Sequence, residues 1–169
     1  MTVELTSYEL ALELGRLCKA RGMMVATAES CTAGGVGFAM TTVPGSSEWF
    51  DRGFITYTNR AKQEMLGVSG ETLAQHGAVS SQTAEEMAVG AIEHSQAQAS
   101  VSVTGIAGPG GEVPGKPVGT VFFGVAIETA QGVHVCSHRC EFDGNRDSVR
   151  RQSIDYALRM LLTELQSPQ

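Results

Sequence analysis

Residues 23–35, Met-Met-Val-Ala-Thr-Ala-Glu-Ser-Cys-Thr-Ala-Gly-Gly, decide the fold of this sequence. Residues 23–28 form a short, mostly apolar run that predicts a buried strand. The segment from Ala33 to Met40 predicts a helix whose glycines allow it to pack closely on a sheet. A strand that leads directly into a helix is typical of α/β proteins.

The flanking sequence continues this alternation of strands and helices. Residues 7–21 carry an apolar stripe at helical spacing and stop at Gly22, which predicts an amphipathic helix. The further predicted elements are a strand at 53–58, a helix capped by Asn59 that halts at Gly67, a helix from a Ser80 cap to about His94, a strand at 99–104, a loop at 105–117, a hairpin of strands 118–128 and 133–141, and a helix at about 145–165. The fold class we predict is α/β, with residues 1–169 forming a single three-layer α/β/α domain around a mixed sheet.

Composition and charge exclude several classes of protein. A chain of 169 residues suits one domain, and 42% hydrophobic residues exclude a disordered chain. The net charge of −6 leaves no broad basic surface, so we expect neither nucleic acid nor an anionic membrane as a partner.

No stretch approaches the ~18 apolar residues of a membrane span. The acidic start of the chain lacks the features of a secretory signal, and we therefore expect a cytoplasmic protein whose four cysteines are reduced thiols.

The strand-to-helix junction is the strongest candidate for chemistry. The carboxyl ends of strands and the adjacent helix N-termini form the usual ligand crevice of α/β sheets, and a hydroxyl at Ser30 is well placed there to attack a substrate. The structural alternative is that Ser30 or Thr32 only caps the helix.

Lys62 is the unusual one of three lysines. It lies on the first turn of a predicted helix, where its charge opposes the helix dipole. If neighbouring strands carry Ser30 and Tyr57 to one edge of the sheet, Lys62 reaches the hydroxyl and acts as its base. That role requires lowering its pKa from about 10.4 to about 7–8. The structural alternative is a solvated surface lysine.

Five segments resemble, in order along the chain, the CinA C-terminal domain family. They are AESCTAGG (28–35), RGFITYTNRAKQEMLGV (52–68), ETLAQHGAVS (71–80), SVTGIAGPGG (102–111) and KPVGTVFFGVA (116–126), and the likeness spans about residues 7–163. Ala33 departs from the pattern, because many members have glycine there. No N-terminal domain of CinA accompanies the motifs, so functions of that domain do not transfer.

The resemblance implies a reaction, because stand-alone members are similar to nicotinamide-nucleotide amidases. The expected reaction is hydrolysis of nicotinamide mononucleotide to nicotinate mononucleotide and ammonia, in pyridine-nucleotide recycling, without metal or nucleotide cofactor. By the same resemblance Ser30 is the nucleophile, Lys62 the base and Tyr57 an assisting residue that relays a proton or holds the amine. The expected intermediate is an acyl-enzyme. Family members also suggest a homodimer.

Several residues are candidates for binding the mononucleotide. Backbone amides in the run from Cys31 to Gly35 are available to stabilise an oxyanion. Thr104, Gly105 and Arg146 are candidate partners of the phosphate, although Arg150 and Arg151 are equally available. The full set of expected substrate-binding residues is Cys31, Thr32, Gly34, Gly35, Asn59, Thr104, Gly105 and Arg146.

Other motifs and functions were weighed as alternatives. Residues 110–116 match part of a phosphate-binding loop, but Pro117 replaces the magnesium-binding Ser or Thr. A zinc site made of His134, Cys136, His138 and Cys140 is opposed by their span of about 20 Å along a strand. Cys31 is an alternative nucleophile. A catalytically silent pyridine-nucleotide-binding or regulatory module is the alternative function.

Overall fold

The computed structural model describes residues 4–167, and within that range it contains five strands and six α-helices. In chain order the elements are α1 (Ser7–Arg21), β1 (Val25–Glu29), α2 (Gly35–Thr41), a 3₁₀ turn (Ser46–Glu48), β2 (Phe50–Ile55), α3 (Asn59–Leu66), α4 (Gly70–His76), α5 (Ser81–Glu93), β3 (Ala99–Gly105), β4 (Thr120–Thr129), β5 (Gly132–Glu141) and α6 (Arg146–Gln166). Among these helices none combines the length and the apolar character that crossing a membrane requires.

The strands form one mixed sheet in the order β2-β1-β3-β4-β5. Strand β1 pairs in parallel with both β2 and β3, whereas β4 runs antiparallel to β3 and to β5. The late hairpin predicted from the sequence is the β4–β5 pair. This arrangement confirms the predicted α/β class and the mixed sheet.

Helices cover both faces of the sheet. Helices α1, α2 and α6 pack together on one face, where Val25 and Val101 belong to the main core. Helix α5 covers the other face with α3 and α4 packed on it, and there Ala26 and Ala28 belong to a second core cluster. Successive strand residues point to opposite faces, and the two clusters follow that alternation. The three-layer prediction is therefore confirmed.

Small polar residues bring α5 close to the sheet. Ser100 Oγ donates to the carbonyl of Ala88 over 2.6 Å, and Ser102 Oγ donates to the carbonyl of Ala84 over 2.5 Å. At Gly124 a Cβ atom would lie only 2.4 Å from the Ala84 carbonyl oxygen. A larger residue at this point would push α5 away from β4, and with it the loop that precedes α5.

Two local predictions were wrong, and one helix was missed. Strand β2 begins and ends three residues earlier than predicted, because the chain leaves the sheet at Thr56 to enter the cap of α3. That cap is Thr58 and not Asn59, since Thr58 Oγ1 accepts from the amide of Ala61 over 3.1 Å. Helix α4 was not predicted at all; it begins after Ser69, whose hydroxyl accepts from the amide of Glu71.

Candidate active site

The carboxyl ends of β1, β2 and β3 meet at one edge of the sheet. Glu29, the last residue of β1, is in register with Ile55 of β2 and Val103 of β3. Ser30 follows directly, and its amide donates to the carbonyl of Val103 over 2.9 Å. The amide of Thr56 donates to the carbonyl of Glu29 over 2.8 Å. These bonds fix the start of the Ser30 turn beside the segment that leads into α3.

The side chains of Ser30 and Lys62 are in direct contact. The Nζ atom of Lys62 donates to Oγ of Ser30 over 3.0 Å and to the carbonyl of Thr56 over 2.8 Å. Lys62 is only 1% exposed, and both of these hydrogen-bond partners are uncharged. Among residues 4–167, the amine is therefore held against the hydroxyl with no carboxylate in ion-pair contact to stabilise its charged form.

Burial changes the protonation of this amine. It lowers the pKa of Lys62 from 10.5 to about 8, while the nearby Cys31 thiol acts in the opposite direction. Desolvation penalises the ammonium form more than the neutral form. A pKa near 8 leaves about one tenth of the molecules with a neutral, proton-accepting lysine at pH 7. Of the two causes expected from the sequence, desolvation and the field of a helix N-terminus, desolvation makes the largest contribution.

Glu29 organises the turn that contains Ser30, and the sequence analysis missed it. Its side chain is 1% exposed and lies at the N-terminus of α2. One carboxylate oxygen accepts from the Thr32 hydroxyl and from the amides of Gly34 and Val36, at 2.7, 3.1 and 2.9 Å. The other accepts from the Thr27 hydroxyl and the Gly37 amide, at 3.1 and 3.0 Å. A carboxylate in this position satisfies the free donors of the helix start.

The hydrogen bonds within this turn reduce the number of backbone amides that are free to bind an oxyanion. The amide of Gly34 is bound by Glu29, and the amide of Gly35 donates to the carbonyl of Thr32. Ala33 likewise donates to the carbonyl of Ser30. Within residues 4–167 the amides of Cys31 and Thr32 donate to no other residue. Of the amides expected to bind substrate, these two are still free to donate to an oxyanion. The same hydrogen bonds show that Glu29, rather than Ser30 or Thr32, caps the start of α2.

A cavity of about 220 Å³ opens beside the Ser30 and Lys62 pair. Most of the residues predicted to act on or bind substrate line it, whereas Thr32, Gly34 and Gly35 do not. The lining consists of Ser30, Cys31, Tyr57, Asn59, Lys62, Ala78, Val79, Thr104, Gly105, Ala107 and Arg146. One site thus gathers residues from four separate segments that the sequence analysis had singled out.

Tyr57 contacts Arg146 and not the amine. The guanidinium of Arg146 donates to the Tyr57 hydroxyl over 2.9 Å and to the carbonyl of Gly108 over 2.8 Å. The Lys62 amine is held instead by the carbonyl of Thr56. The hydroxyl of Thr104 donates to the carbonyl of Ala78 over 2.7 Å, so it anchors the wall of the cavity.

A larger cavity adjoins the first one. It has a volume of about 570 Å³ and shares Ala107 and Arg146 with the smaller cavity. Its other walls come from the loop at 108–110, from Val118 and from the start of α6 at 144–147. Arg146 is the first residue of α6, where free backbone amides add to its positive charge.

Cys31 is a poor nucleophile in this environment. It is 5% exposed, and burial raises the pKa of its thiol to about 11. A helix N-terminus can activate a thiolate, but the dominant effect at Cys31 is desolvation of the thiol. The thiol is therefore protonated at neutral pH.

Comparisons with known proteins identify the family. The family model described as the CinA C-terminal domain matches residues 7–165. The chain belongs to the CinA C-terminal domain family. This CinA C-terminal domain is 52% identical over 153 residues to the nicotinamide-nucleotide amidohydrolase PncC of Escherichia coli strain K12, covering 90% of this chain and 91% of the relative. It is 46% identical over 153 residues to PncC of Pseudomonas putida, covering 90% and 93%.

Solved structures of similar proteins share this architecture. The competence/damage inducible protein CihA of Agrobacterium tumefaciens superposes with a TM-score of 0.89 at 44% identity, covering 99% of this CinA C-terminal domain and 100% of that chain. The competence damage-inducible protein A of Klebsiella pneumoniae superposes with a TM-score of 0.91 at 34% identity, covering 98% and 100%. The resemblance noted from the sequence motifs is thereby confirmed.

Proposed function

We propose that the protein is a nicotinamide-nucleotide amidohydrolase that converts nicotinamide mononucleotide and water to nicotinate mononucleotide and ammonia. The contact between the buried Lys62 amine and the Ser30 hydroxyl is the observation that carries the proposal. The names of the PncC relatives support the choice of substrate. An amide hydrolase needs an activated nucleophile and donors for an oxyanion, and this site offers both.

Acylation starts from the neutral form of Lys62. Its lone pair accepts the Ser30 proton as Oγ attacks the carboxamide carbon, and the carbonyl electrons move onto oxygen. The amide of Cys31, which lines the cavity, donates to this oxyanion, and the adjacent amide of Thr32 is the second candidate donor. One such interaction is worth about 2.7–4 kcal/mol where measured. The oxyanion then collapses, the C–N bond breaks, and Lys62 returns the proton to the departing nitrogen. Ammonia leaves, and an ester joins the nicotinoyl carbon to Ser30.

Deacylation repeats the same steps with water. Lys62, neutral again, accepts a proton from water while the water oxygen attacks the ester carbon. The C–O bond to Ser30 breaks, and the serine oxygen takes the proton back from Lys62. The product acid loses its proton to solvent and leaves as nicotinate mononucleotide. Each half-reaction therefore returns Lys62 to its neutral form, and the complete cycle returns Ser30 to a free hydroxyl.

The two adjoining cavities suggest how the substrate is placed. The smaller cavity, at about 220 Å³, is below the roughly 300–1,000 Å³ of sites that hold a whole small ligand. We therefore place only the nicotinamide ring there, against Ser30. The ribose and phosphate extend past Arg146 toward the larger cavity, where the guanidinium and the start of α6 meet the phosphate. Arg146→Gln should raise KM for the mononucleotide but not for the corresponding riboside, which lacks the phosphate.

Ammonia release from nicotinamide mononucleotide is the decisive assay. The wild type should release ammonia, and Ser30→Ala and Lys62→Met should each lose at least about a thousandfold in kcat, as expected for members of a catalytic unit. Ser47→Ala and Lys19→Met are matched controls, because both residues lie at the surface away from the site. A wild type that binds the nucleotide without releasing ammonia would instead establish the silent binding or regulatory module.

The expected location and assembly are separate predictions. A homodimer, a cytoplasmic location and the lack of a nucleic-acid partner follow from the reasoning given with the sequence. Light scattering of the purified protein measures its oligomeric state, and fractionation of the source cells measures its location. An electrophoretic mobility assay at low salt measures whether it binds nucleic acid.

A further inference from the structure

Three potential metal ligands converge where β5 meets the end of α6. His134 and Cys136 are two positions apart on β5 and therefore face the same side of the sheet. Glu164 projects from the last turns of α6 toward them. One ligand atom from each residue, a ring nitrogen, the sulfur and a carboxylate oxygen, lies within 4.8 Å of the other two.

This donor set differs from the one rejected in the sequence analysis. The four alternating strand residues divide into two pairs with different partners on α6. His138 and Cys140 interact with the side chain of Tyr156, the former at 3.0 Å from the hydroxyl. His134 and Cys136 face Glu164. The four strand residues extend too far along β5 for one ion to bind them all. That objection does not apply to a site formed by two strand residues and one helix residue.

The separation between His134 and Glu164 is close to the one that a tetrahedral zinc ion requires. Nε2 of His134 lies 3.8 Å from a carboxylate oxygen of Glu164. Bonds of about 2.0–2.3 Å to a tetrahedral zinc place the ligand atoms roughly 3.4–3.6 Å apart. The sulfur of Cys136 lies within 4.8 Å of both other ligand atoms. His134 is half exposed on its side-chain surface, so its ring has room to turn toward a bound ion and shorten these distances.

The local charges also favour a cation. The carboxylate of Glu164 supplies negative charge within the cluster, and the carboxylate of Glu85 adds a second negative charge from the other face of β5. Glu85 lies on α5 and accepts from the hydroxyl of Ser137 over 2.6 Å. A divalent ion is attracted by negative charge at this end of the sheet and bonds directly to the carboxylate of Glu164.

We propose that His134, Cys136 and Glu164 bind one divalent cation of the zinc class, with the fourth position taken by water. A thiolate and an imidazole select zinc-like ions over magnesium or calcium, which prefer sets of oxygen ligands. Binding forms a metal–sulfur bond and releases the thiol proton to solvent.

The site is remote from the proposed amidohydrolase centre. His134 pairs with Ile127, which pairs with Ala99 at the start of β3. Ser30 instead contacts Val103 near the other end of β3. The metal therefore plays no part in the proposed reaction. It joins the edge strand β5 to the C-terminal end of α6, and it stabilises the folded chain because the unfolded chain lacks the preformed site.

Metal titration of the full chain tests the proposal. After chelator treatment and dialysis, zinc chloride should bind at one ion per chain, and cobalt chloride should produce a thiolate-to-cobalt charge-transfer band in the near ultraviolet. Cys136→Ser should abolish the band, and both Cys136→Ser and His134→Ala should weaken zinc binding by at least about tenfold. The matched controls Cys140→Ser and His138→Ala should bind as the wild type does, and zinc should raise Tm in the wild type but not in Cys136→Ser.

Specific results would overturn the site. Absence of stoichiometric zinc binding by the wild type is one, and cobalt binding without a thiolate band is another. Equal weakening by Cys136→Ser and Cys140→Ser would also refute it, because only the first removes a ligand. Ammonia release is measured in parallel and should be unchanged in Cys136→Ser, so failure of this site and failure of the proposed enzyme activity are separate outcomes.

Discussion

The amine of Lys62 lies 3.0 Å from the hydroxyl oxygen of Ser30, although 32 positions separate the two residues along the chain. Parallel pairing of β1 and β2 makes this contact, because both strands end at the same edge of the sheet. The chain then passes through Thr56 into α3, and the first turn of α3 brings Lys62 back under Ser30. The same short path buries the amine and supplies the Thr56 carbonyl that holds it.

The pH dependence of activity should follow the lysine. Because burial lowers the pKa of Lys62 to about 8, kcat/KM should rise about tenfold per pH unit below pH 8 and level off above it. The rise reflects the growing fraction of neutral amine. Initial rates of ammonia release across pH 6–9.5 measure this profile. A profile that is flat from pH 6 to 9 would show that the group accepting the proton is not Lys62.

Stability should also depend on the protonation of Lys62. Below pH 8 the folded and the unfolded chain both carry the proton, and the cost of burying the ammonium is fully present. Between pH 8 and about 10.4 the unfolded chain binds more protons, so the free energy of unfolding rises with pH. A shift from 10.5 to about 8 corresponds to about 3 kcal/mol across this window.

Comparison with Lys62→Met isolates this contribution. The difference in unfolding free energy between wild type and Lys62→Met should change by about 3 kcal/mol in favour of the wild type from pH 7 to pH 10.5. Urea unfolding at several pH values measures it, with Lys19→Met as the control for loss of an exposed lysine. A difference that stays constant across the window would mean that Lys62 titrates normally in the folded chain.

Much of the site could be predicted from the sequence because its residues lie in short motifs at element ends. Ser30 follows an apolar strand, and Lys62 lies in the first turn of a helix that begins shortly after another strand ends. Glu29 escaped notice because a carboxylate at the end of a buried strand looks like the first exposed residue of a loop. Its five donors come from positions 27 to 37, and only the folded turn brings them together. The Thr56 carbonyl carries no sequence signal at all.

Replacing Glu29 with glutamine should destabilise the fold. The amide nitrogen of glutamine cannot accept a hydrogen bond, so one group of donors around the side chain loses its acceptor and the negative charge at the start of α2 disappears. We expect Glu29→Gln to lower the free energy of unfolding by about 2–3 kcal/mol. Urea unfolding measures the loss, and Glu48→Gln is the exposed control. Equal stability of the two variants would show that Glu29 does not hold the turn.

The role of Tyr57 can be separated from that of Lys62. The Tyr57 hydroxyl accepts a hydrogen bond from Arg146, so Tyr57→Phe should loosen the guanidinium and raise KM for the mononucleotide by about three- to tenfold. The value of kcat should change less than twofold, since the hydroxyl does not bind the amine. Steady-state kinetics distinguish the two parameters. A large fall in kcat at unchanged KM would instead support the assisting role that the family resemblance implies, in which Tyr57 relays a proton or holds the amine.

Ala33 adopts a backbone conformation that is strained for a residue with a Cβ atom. Ala33 has a φ of +47°, in the left-handed region that favours glycine. Relief of the strain outweighs the greater freedom that glycine gives the unfolded chain, so Ala33→Gly should raise the free energy of unfolding by about 0.5–1 kcal/mol. Ala74→Gly, at a helical position in α4, is the matched control and should be destabilising by a similar amount. Urea unfolding measures the free energy of unfolding of both variants. A lower value for Ala33→Gly than for the wild type would show that the backbone at Ala33 is not strained.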